Sequence, residues 1–285
     1  MENTQTLRTH DQTGNQGCQS YHDEPRSEDG RYVSEALYWK EYYEHPDFSY
    51  EWNKGYLEEK SVSDLMNVEM GKWFARLLEA FLDTYPLART TWWEFGFRLA
   101  LPGRTTARRP DIGVALNDNP DGLSPDDRTF SGIFDLCVEI ISDSTPEEVR
   151  RDTVDKKREY GGIGVREYYI LDARGRHTAF YHLTTGGFYR IIRPDSEGVI
   201  RSGVLPGFRF RESDLIRQPS PEEMADDRVY KGFVLPSYQA EKLRAEEERQ
   251  RADAAEKVAQ KERRRADAAE EELRRLRAIL SQQNG

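Results

Sequence analysis

Two carboxylates in this 285-residue chain stand in apolar surroundings, where a charged group is costly to bury. Asp111 opens the short, partly β-branched segment Asp111–Leu116, and Glu139 lies inside the apolar run Phe134–Ile141. Such a buried glutamate must be paired, protonated or bound to a cation. Two carboxylates on neighbouring strands also repel and raise each other's pKa. A divalent cation removes that conflict, and oxygen ligands suit Mg²⁺ or Mn²⁺.

A third chemical group lies on the charged helix predicted over Pro146–Tyr160. Asp152, Lys156 and Tyr160 are four residues apart in turn, so they share one face of that helix. A lysine facing two carboxylates could orient an attacking water, help to deprotonate it, or neutralise charge on a phosphate. Lys157 points roughly 100° away, which favours Lys156. Spacing alone favours a simpler alternative, a salt bridge from Asp152 to Lys156 with Tyr160 as packing.

The elements that must position these groups follow from the hydrophobic pattern of residues 31–217. The predicted elements are a helix near 33–43, a strand pair at Phe48–Trp52 and Tyr56–Glu59, an amphipathic helix over 63–84, strands at Thr91–Leu101, Asp111–Leu116, Phe134–Ile141 and Glu167–Asp172, and a hairpin from Thr184–Gly187 into Phe188–Ile192. This order predicts an α/β sandwich around a mixed sheet.

Composition divides the rest of the chain. Residues 1–30 are polar and predict a disordered tail, and residues 218–239 are interpreted as a linker. Residues 240–285 predict a long charged helix or coiled coil, and hence a homo-oligomer, because one side repeats at alternating steps of three and four. The seam consists of Ala245, Glu248, Ala252, Ala255, Ala259, Glu262, Ala266, Ala269, Leu273, Leu276 and Leu280. A single solvated helix held by i,i+4 ion pairs is the alternative.

Charge and cysteine usage limit the possible settings. The net charge of −10 argues against a protein that coats nucleic acid through bulk electrostatics. No apolar run approaches the ~18–20 residues that span a bilayer, and the N-terminus lacks a secretory pattern. Cys18 and Cys137 lie far apart and predict free thiols in a reducing, cytoplasmic setting.

Four stretches of the sequence resemble a known family. The motif RRPDIGV at 108–114 and the stretch 134–172, with Val-Glu-Ile followed by Ser142 and the Asp-x-x-x-Lys-x-x-x-Tyr helix, resemble the Uma-two-type putative restriction endonucleases of the PD-(D/E)XK nuclease superfamily. The similarity covers roughly 45–215. YEWNKGYLEE at 50–59 resembles the family's early strand pair, and 203–208 resembles its closing strand.

This resemblance implies a restriction-endonuclease-like mixed sheet flanked by helices. It also implies that Asp111 and Glu139 are ligands of Mg²⁺ or Mn²⁺ and that Lys156 is the catalytic lysine. In the wider superfamily the lysine lies two residues after the acid, but that position here is Ile141. The family pattern implies that the lysine has moved to the helix, with Tyr160 orienting it or packing under it. Glu69 is a weak candidate for a further acid from the first long helix.

Basic residues near these carboxylates fit a DNA substrate. Arg104, Arg108 and Arg109 precede Asp111, while Arg150, Arg151 and Lys157 belong to the predicted helix. Arg108, Arg109 and Arg151 are the expected nucleic-acid contacts, although each alone could be ordinary surface charge. Three functions stay open: a Mg²⁺-dependent DNA endonuclease, a catalytically inactive nuclease fold that binds partners through its coiled coil, and a nucleic-acid binder that does not cut.

Overall fold

The computed structural model describes residues 25–142 and 145–283. Most of the predicted disordered tail, residues 1–30, therefore lies outside the described residues. Its last residues belong to the fold. The amide of Gly30 donates to the carbonyl of Leu57 (2.9 Å), and the Asp29 carboxylate accepts from the amide of Glu59 (2.8 Å). The folded domain thus begins a few residues before the predicted boundary at 31.

An antiparallel four-stranded sheet forms the first layer, in the order β2-β1-β5-β4. Its strands are β1 (Tyr50–Asn53), β2 (Tyr56–Glu59), β4 (Phe97–Leu101) and β5 (Arg104–Arg108). A short helix, α1 (Glu35–Leu37), continues as a π-helical turn (Tyr38–Tyr42) and packs on this sheet. The predicted strand pair is confirmed. Its turn places Lys54 and Gly55 at φ 55° and 97°, the left-handed pair that a tight hairpin requires.

A mixed six-stranded sheet forms the centre, in the order β10-β9-β8-β7-β6-β3. Its strands are β3 (Ala88–Trp92), β6 (Ile112–Leu116), β7 (Leu136–Ile140), β8 (Glu167–Leu171), β9 (Ala179–Leu183) and β10 (Tyr189–Ile191). Only β7 and β8 are parallel within it. The predicted mixed sheet is therefore confirmed, with β7 buried on both faces.

The predicted single strand Thr91–Leu101 is wrong. It is two strands, β3 and β4, which belong to different sheets. The chain turns sharply between them, where the amides of Glu94 and Phe95 point back to the carbonyl of Trp92 and Trp93 adopts φ 30°. Alternation of side chains continues through the turn, so periodicity alone could not reveal the break.

Helices cover both faces of the mixed sheet. The amphipathic helix α2 (Leu65–Thr84) is confirmed, and the Asp64 carboxylate caps it by accepting from the amide of Asn67 (3.0 Å). It packs with Val138 and Ile140 of β7 in one core cluster, whereas Cys137 and Ile141 face the opposite cluster. Because side chains alternate along a strand, Glu139 shares the second face.

The crossover from β7 to β8 is the predicted charged helix. It consists of α3 (Pro146–Arg150), a π-helical segment (Arg151–Lys156) and α4 (Lys157–Ile163). The Thr145 hydroxyl oxygen caps its start by accepting from the Glu148 amide, and the Thr145 amide donates to the Glu148 carboxylate in return. Gly164, at φ 101°, ends it. Single π-helical turns are frequent at functional sites, and this one carries both Asp152 and Lys156.

The C-terminal part of the domain differs from expectation in two places. The segment 203–208, predicted as a closing strand, is the connection between β11 (Val199–Arg201) and β12 (Arg209–Arg211). The predicted linker 218–239 is folded. It follows α5 (Asp214–Arg217), contains α6 (Pro221–Asp226), and buries several apolar side chains in the core beside α2. These side chains are Met224, Val229, Tyr230, Phe233 and Val234.

The last helix, α7 (Pro236–Gln283), is 48 residues long and confirms the predicted long C-terminal helix. Its base contacts the domain, since Lys242 pairs with Asp226 (2.6 Å). The described side chains from 240 to 275 are exposed, so the seam of small residues within that range faces solvent. Among the residues that the structure describes, no helix is both long and apolar enough to cross a membrane.

Candidate active site

The two sheets meet at the short segment that joins β5 to β6. β5 ends at Arg108 and β6 begins at Ile112, so Asp111 lies at the junction. The pairing of Ile112 with Val138 places Asp111 beside Glu139 on the neighbouring strand. Asp111 Oδ2 also accepts from the amide of Ile140 (2.7 Å), which fixes its carboxylate against β7. The two predicted acids are thus brought together.

Glu139 is 1 % exposed, and both of its oxygens are bonded. Lys156 Nζ donates to Oε2 (2.8 Å), and the Tyr160 hydroxyl donates to Oε1 (2.7 Å). The helical lysine therefore reaches the acid of β7, as the shared helix face predicts. Tyr160 does more than pack, because it holds the other oxygen of the same carboxylate.

Lys156 lies among three carboxylates. Its Nζ is 2.8 Å from Glu139 Oε2, 3.1 Å from Asp152 Oδ1 and 3.3 Å from Glu51 Oε1. The alternative salt bridge to Asp152 is present, but it is one contact of three. Burial alone would lower the pKa of Lys156, yet Asp152, Glu139 and Glu51 outweigh it and hold that pKa well above its usual value. The surrounding carboxylates therefore favour the ammonium form of Lys156.

The pKa values of the three carboxylates shift in different directions, because their charged neighbours differ. Burial, with repulsion from Asp111 and Asp152, raises the pKa of Glu139 to about 8, although Lys156 opposes this. Burial also raises the pKa of Asp152. Burial would raise the pKa of Glu51 too, but the charges of Lys156 and Arg108 outweigh it and hold that pKa well below its usual range. Glu51 is therefore the permanent counter-ion of this cluster, and Glu139 is the acid that a further cation would help to ionise.

Two of these residues escaped the sequence analysis. Glu51 is fully buried in β1 between Tyr50 and Trp52, and it accepts from the amide of Arg109 (2.9 Å). The same signal that marked Glu139, a carboxylate between apolar strand residues, was present at this position. Lys60 follows β2, and its Nζ donates to Asp111 Oδ1 (3.0 Å) and to the carbonyl of Arg109 (2.6 Å). No local pattern marks Lys60, since only tertiary packing brings it to Asp111.

The expected nucleic-acid contacts divide into buried and accessible residues. Arg108 is fully buried and pairs with Glu51, Glu58 and Glu159. Arg109 is 6 % exposed and donates to the carbonyls of Tyr43 and Glu94. Both are structural arginines inside the protein, which corrects their interpretation as surface contacts for a phosphate backbone.

Arg151 is different, because its half-buried side chain lines the same cavity as the acids and donates to the carbonyl of Glu59 (3.1 Å). Of the other groups, Lys157 lies outside the cavity with its Nζ 4.0 Å from the Tyr181 ring centre. Glu69 is exposed and lines a separate depression near Ala173 and Leu215. The structure therefore does not bring Glu69 to the acids.

A small cavity of about 40 Å³ joins these groups. Its lining includes Asp111, Glu139, Asp152, Lys156, Lys60 and Arg151. No cluster of three or more His, Cys, Asp or Glu side chains within residues 25–142 and 145–283 is arranged around a metal position. The donors nevertheless suit a hard cation that keeps several waters, because Asp111 and Glu139 are adjacent and the ammonium of Lys60 already sits on one Asp111 oxygen.

The chain is similar to known proteins. The family model described as "Uma2: Putative restriction endonuclease" matches residues 35–213. One solved structure, described as a putative nuclease belonging to DUF820 from Anabaena variabilis ATCC 29413, is 14 % identical with a TM-score of 0.46; the match covers 60 % of this chain and 90 % of that chain. No curated protein matches the chain.

The structure is a mixed sheet flanked by helices, and two acids, a lysine and a tyrosine meet where β6 begins and β7 ends. The match over 35–213 spans more than half of the sequence, so the chain belongs to the Uma2 family. This membership confirms the family resemblance and the coarse assignment to nuclease-type proteins.

Proposed function

We propose that this protein is a Mg²⁺- or Mn²⁺-dependent endonuclease that hydrolyses phosphodiester bonds of DNA. The observation that carries the proposal is the contact of Lys156 with Glu139, directly beside Asp111. Asp111 and Glu139 would hold the cation. When bound, such a cation activates water and stabilises charge on the phosphate.

The chain's own residues would act around that cation. Lys156 and Tyr160 fix the Glu139 carboxylate from the helix side, and Glu51 in turn fixes Lys156. Because the surrounding carboxylates favour its ammonium form, Lys156 would position Glu139 and neutralise charge. Lys60 and Arg151 line the accessible side of the cavity and would meet a phosphate there.

Cleavage of supercoiled plasmid DNA with Mg²⁺ or Mn²⁺ tests this function. We expect cleavage by the unaltered protein and none by Asp111→Asn or Glu139→Gln. Asp118→Asn is the matched control, because Asp118 is an exposed aspartate outside the cavity. Equal cleavage by the unaltered protein and the Asp111→Asn variant would exclude the assignment.

Metal binding is tested without turnover. Mn²⁺ should raise the melting temperature of the unaltered protein and of Asp118→Asn, since a ligand that binds only the folded state stabilises it. Mn²⁺ should leave the melting temperature of the Asp111→Asn variant unchanged. DNA affinity without metal-dependent cleavage would instead support a nucleic-acid binder that does not cut.

The exposure of α7 supports a second role, self-association or partner binding through its seam. Ala252, Ala259, Ala266 and Leu273 repeat at seven-residue intervals on a helix whose described side chains are open to solvent. A second copy of the chain could cover this seam. Oligomers that persist in a protein without cleavage activity would favour the interaction role over the enzymatic one.

A further inference from the structure

A second and much larger cavity opens beside the catalytic one. It has a volume of about 960 Å³, against about 40 Å³ for the cavity at the acids. It lies between the edge strand β3, the loop after α1 and the loop around 123–128. We call it the aromatic groove after the rings that line it, those of Tyr43, His45, Phe48, Trp92 and Phe95. Its volume is typical of sites that take a small organic ligand, which the catalytic cavity is too small to admit.

Both walls of the aromatic groove are tied to the catalytic segment. The amide of Trp93, between the groove residues Trp92 and Glu94, donates to the carbonyl of Asp111 (3.0 Å). On the other wall, the amide of Lys60 donates to the carbonyl of the groove residue Ser49 (2.8 Å). Since Lys60 also binds the Asp111 carboxylate, hydrogen bonds join both walls of the groove to the residue that would hold the cation.

The groove wall beside Asp111 is built on an unusual backbone. Trp93 has φ 30°, in the left-handed region that a bulky side chain rarely adopts. A residue held there must be fixed by its surroundings, and such residues concentrate at ligand sites. Arg109 supplies that fixation, because it donates to the carbonyls of Glu94 (2.9 Å) and Tyr43 (3.0 Å) from beneath the groove.

The charge of the groove suits a base better than a phosphate. Its lining holds three arginines and four carboxylates, so it is close to neutral. Arg109 is committed to carbonyls, and Arg128 pairs with Glu44 (3.0 Å). A phosphate backbone requires an excess of positive charge. Four of the groove rings are half-buried, and they lie beside a few hydrogen-bonding groups. Such a lining matches a nucleobase, whose face stacks and whose edge carries donors and acceptors.

We propose that the aromatic groove binds an unpaired nucleobase of the DNA strand whose backbone lies at Asp111. The proposal rests on the proposed nuclease function and adds a substrate class, namely single-stranded DNA or a duplex with a base turned out of its stack. The catalytic cavity would take the phosphate, and the groove would take a neighbouring base. An unpaired base costs less to present than a paired one, so single strands are the better ligands.

Binding of a single-stranded DNA oligonucleotide that contains 2-aminopurine tests the proposal. The full chain is titrated in Ca²⁺, and the fluorescence of the probe is followed. Stacking against groove rings should quench that fluorescence. A duplex that holds the same 2-aminopurine in a base pair should bind more weakly. No binding of the single strand, or binding without a fluorescence change, would overturn the proposal.

Two variants place the ligand in the groove. Ser124→Trp adds a ring at an exposed groove residue and should weaken binding about tenfold by filling the space. Ser196→Trp, on the exposed turn between β10 and β11, is the matched control and should bind normally. Phe95→Leu keeps apolar volume but removes a ring, and should reduce both affinity and quenching. Its melting temperature shows whether it is folded.

The two proposals fail separately. If plasmid cleavage requires Asp111 but oligonucleotide binding ignores Ser124→Trp and Phe95→Leu, the groove assignment is wrong and the nuclease assignment stands. If no nucleic acid is cut while groove variants abolish quenching, the groove binds bases in a protein that is not a nuclease.

Discussion

Lys156 Nζ donates to Glu139 Oε2 at 2.8 Å, although 17 residues separate the two along the chain. β7 carries the acid, the crossover helix carries the lysine, and the parallel pairing of β7 with β8 brings that helix back over the sheet. A lysine on this helix can therefore contact Glu139, so no lysine is needed two residues after Glu139 on the strand itself. Ile141 can remain an apolar core residue for the same reason.

Substitution of Lys156 should reduce DNA cleavage strongly while the protein still folds. We expect Lys156→Met to lower plasmid cleavage by about 10²–10³, the usual cost of losing one charge-stabilising group at an active site. Lys157→Met is the matched control and should keep its activity, because Lys157 lies over Tyr181 outside the cavity.

Lys156→Met also leaves buried carboxylates without their counter-ion, so loss of fold must be separated from loss of chemistry. Adding Asp152→Asn removes one of these charges and should recover part of the free energy of unfolding without recovering cleavage. Full activity in a folded Lys156→Met protein would contradict the role given to this lysine.

The raised pKa of Glu139 predicts a pH dependence of stability in metal-free protein. Burial raises this pKa to about 8 in the folded state, above the value of an exposed glutamate. The folded state therefore holds the proton more tightly, and stability is lost as pH rises from the unfolded value through about 8. Urea unfolding in EDTA at pH 6 and pH 9 should show the unaltered protein losing stability relative to Glu139→Gln.

If the free energies of unfolding of the unaltered protein and Glu139→Gln differ by the same amount at pH 6 and pH 9, Glu139 does not hold the proton proposed here. Saturating Mn²⁺ should reduce the pH-dependent loss, because a bound cation favours the ionised carboxylate. This second measurement separates Glu139 from other groups that titrate between pH 6 and pH 9.

Local sequence predicted the parts of the fold that local forces determine. The spacing of apolar residues predicted α2, and the hydrophobic pattern also predicted the strand pair that forms β1 and β2. The unbroken apolar run predicted β7 as the central strand, and a glutamate in that run was recognisable because its burial is costly.

Tertiary contacts determine what was missed. Arg108 precedes Asp111 in a basic run that is typical of a surface, yet it is buried because β1, β2 and the crossover helix each supply one acid around it. Lys60 reaches Asp111 across 51 residues, and no local pattern encodes that contact. The segment 218–239 has the composition of a linker, but its aromatic residues Tyr230 and Phe233 fill the core beside α2.

The buried arginine predicts a large effect on stability. Arg108→Met should lower the free energy of unfolding by about 3–5 kcal/mol, because Glu51, Glu58 and Glu159 would lose their shared counter-ion. Arg128→Met is the matched control. Its pair with Glu44 is exposed and should contribute less than about 1 kcal/mol.

Urea unfolding of both variants measures the difference. Cleavage by Arg108→Met should also fall, since Glu51 positions Lys156 and is itself fixed by Arg108. Equal destabilisation by the two substitutions would show that the buried network is no stronger than a surface pair.

The seam of α7 predicts self-association that depends on leucine at its C-terminal end. Alanine at most seam positions buries little surface, so the assembly should be weak and should dissociate on dilution. Sedimentation should show fewer chains per particle after deletion of residues 240–285 and after Leu273→Gln. Val258→Gln is the matched control, because Val258 is an exposed apolar residue of the same helix outside the seam.

A monomeric mass for the full chain at all concentrations would contradict the coiled coil. In that case α7 would be a single solvated helix, held by ion pairs such as Arg275 with Glu271 (2.7 Å).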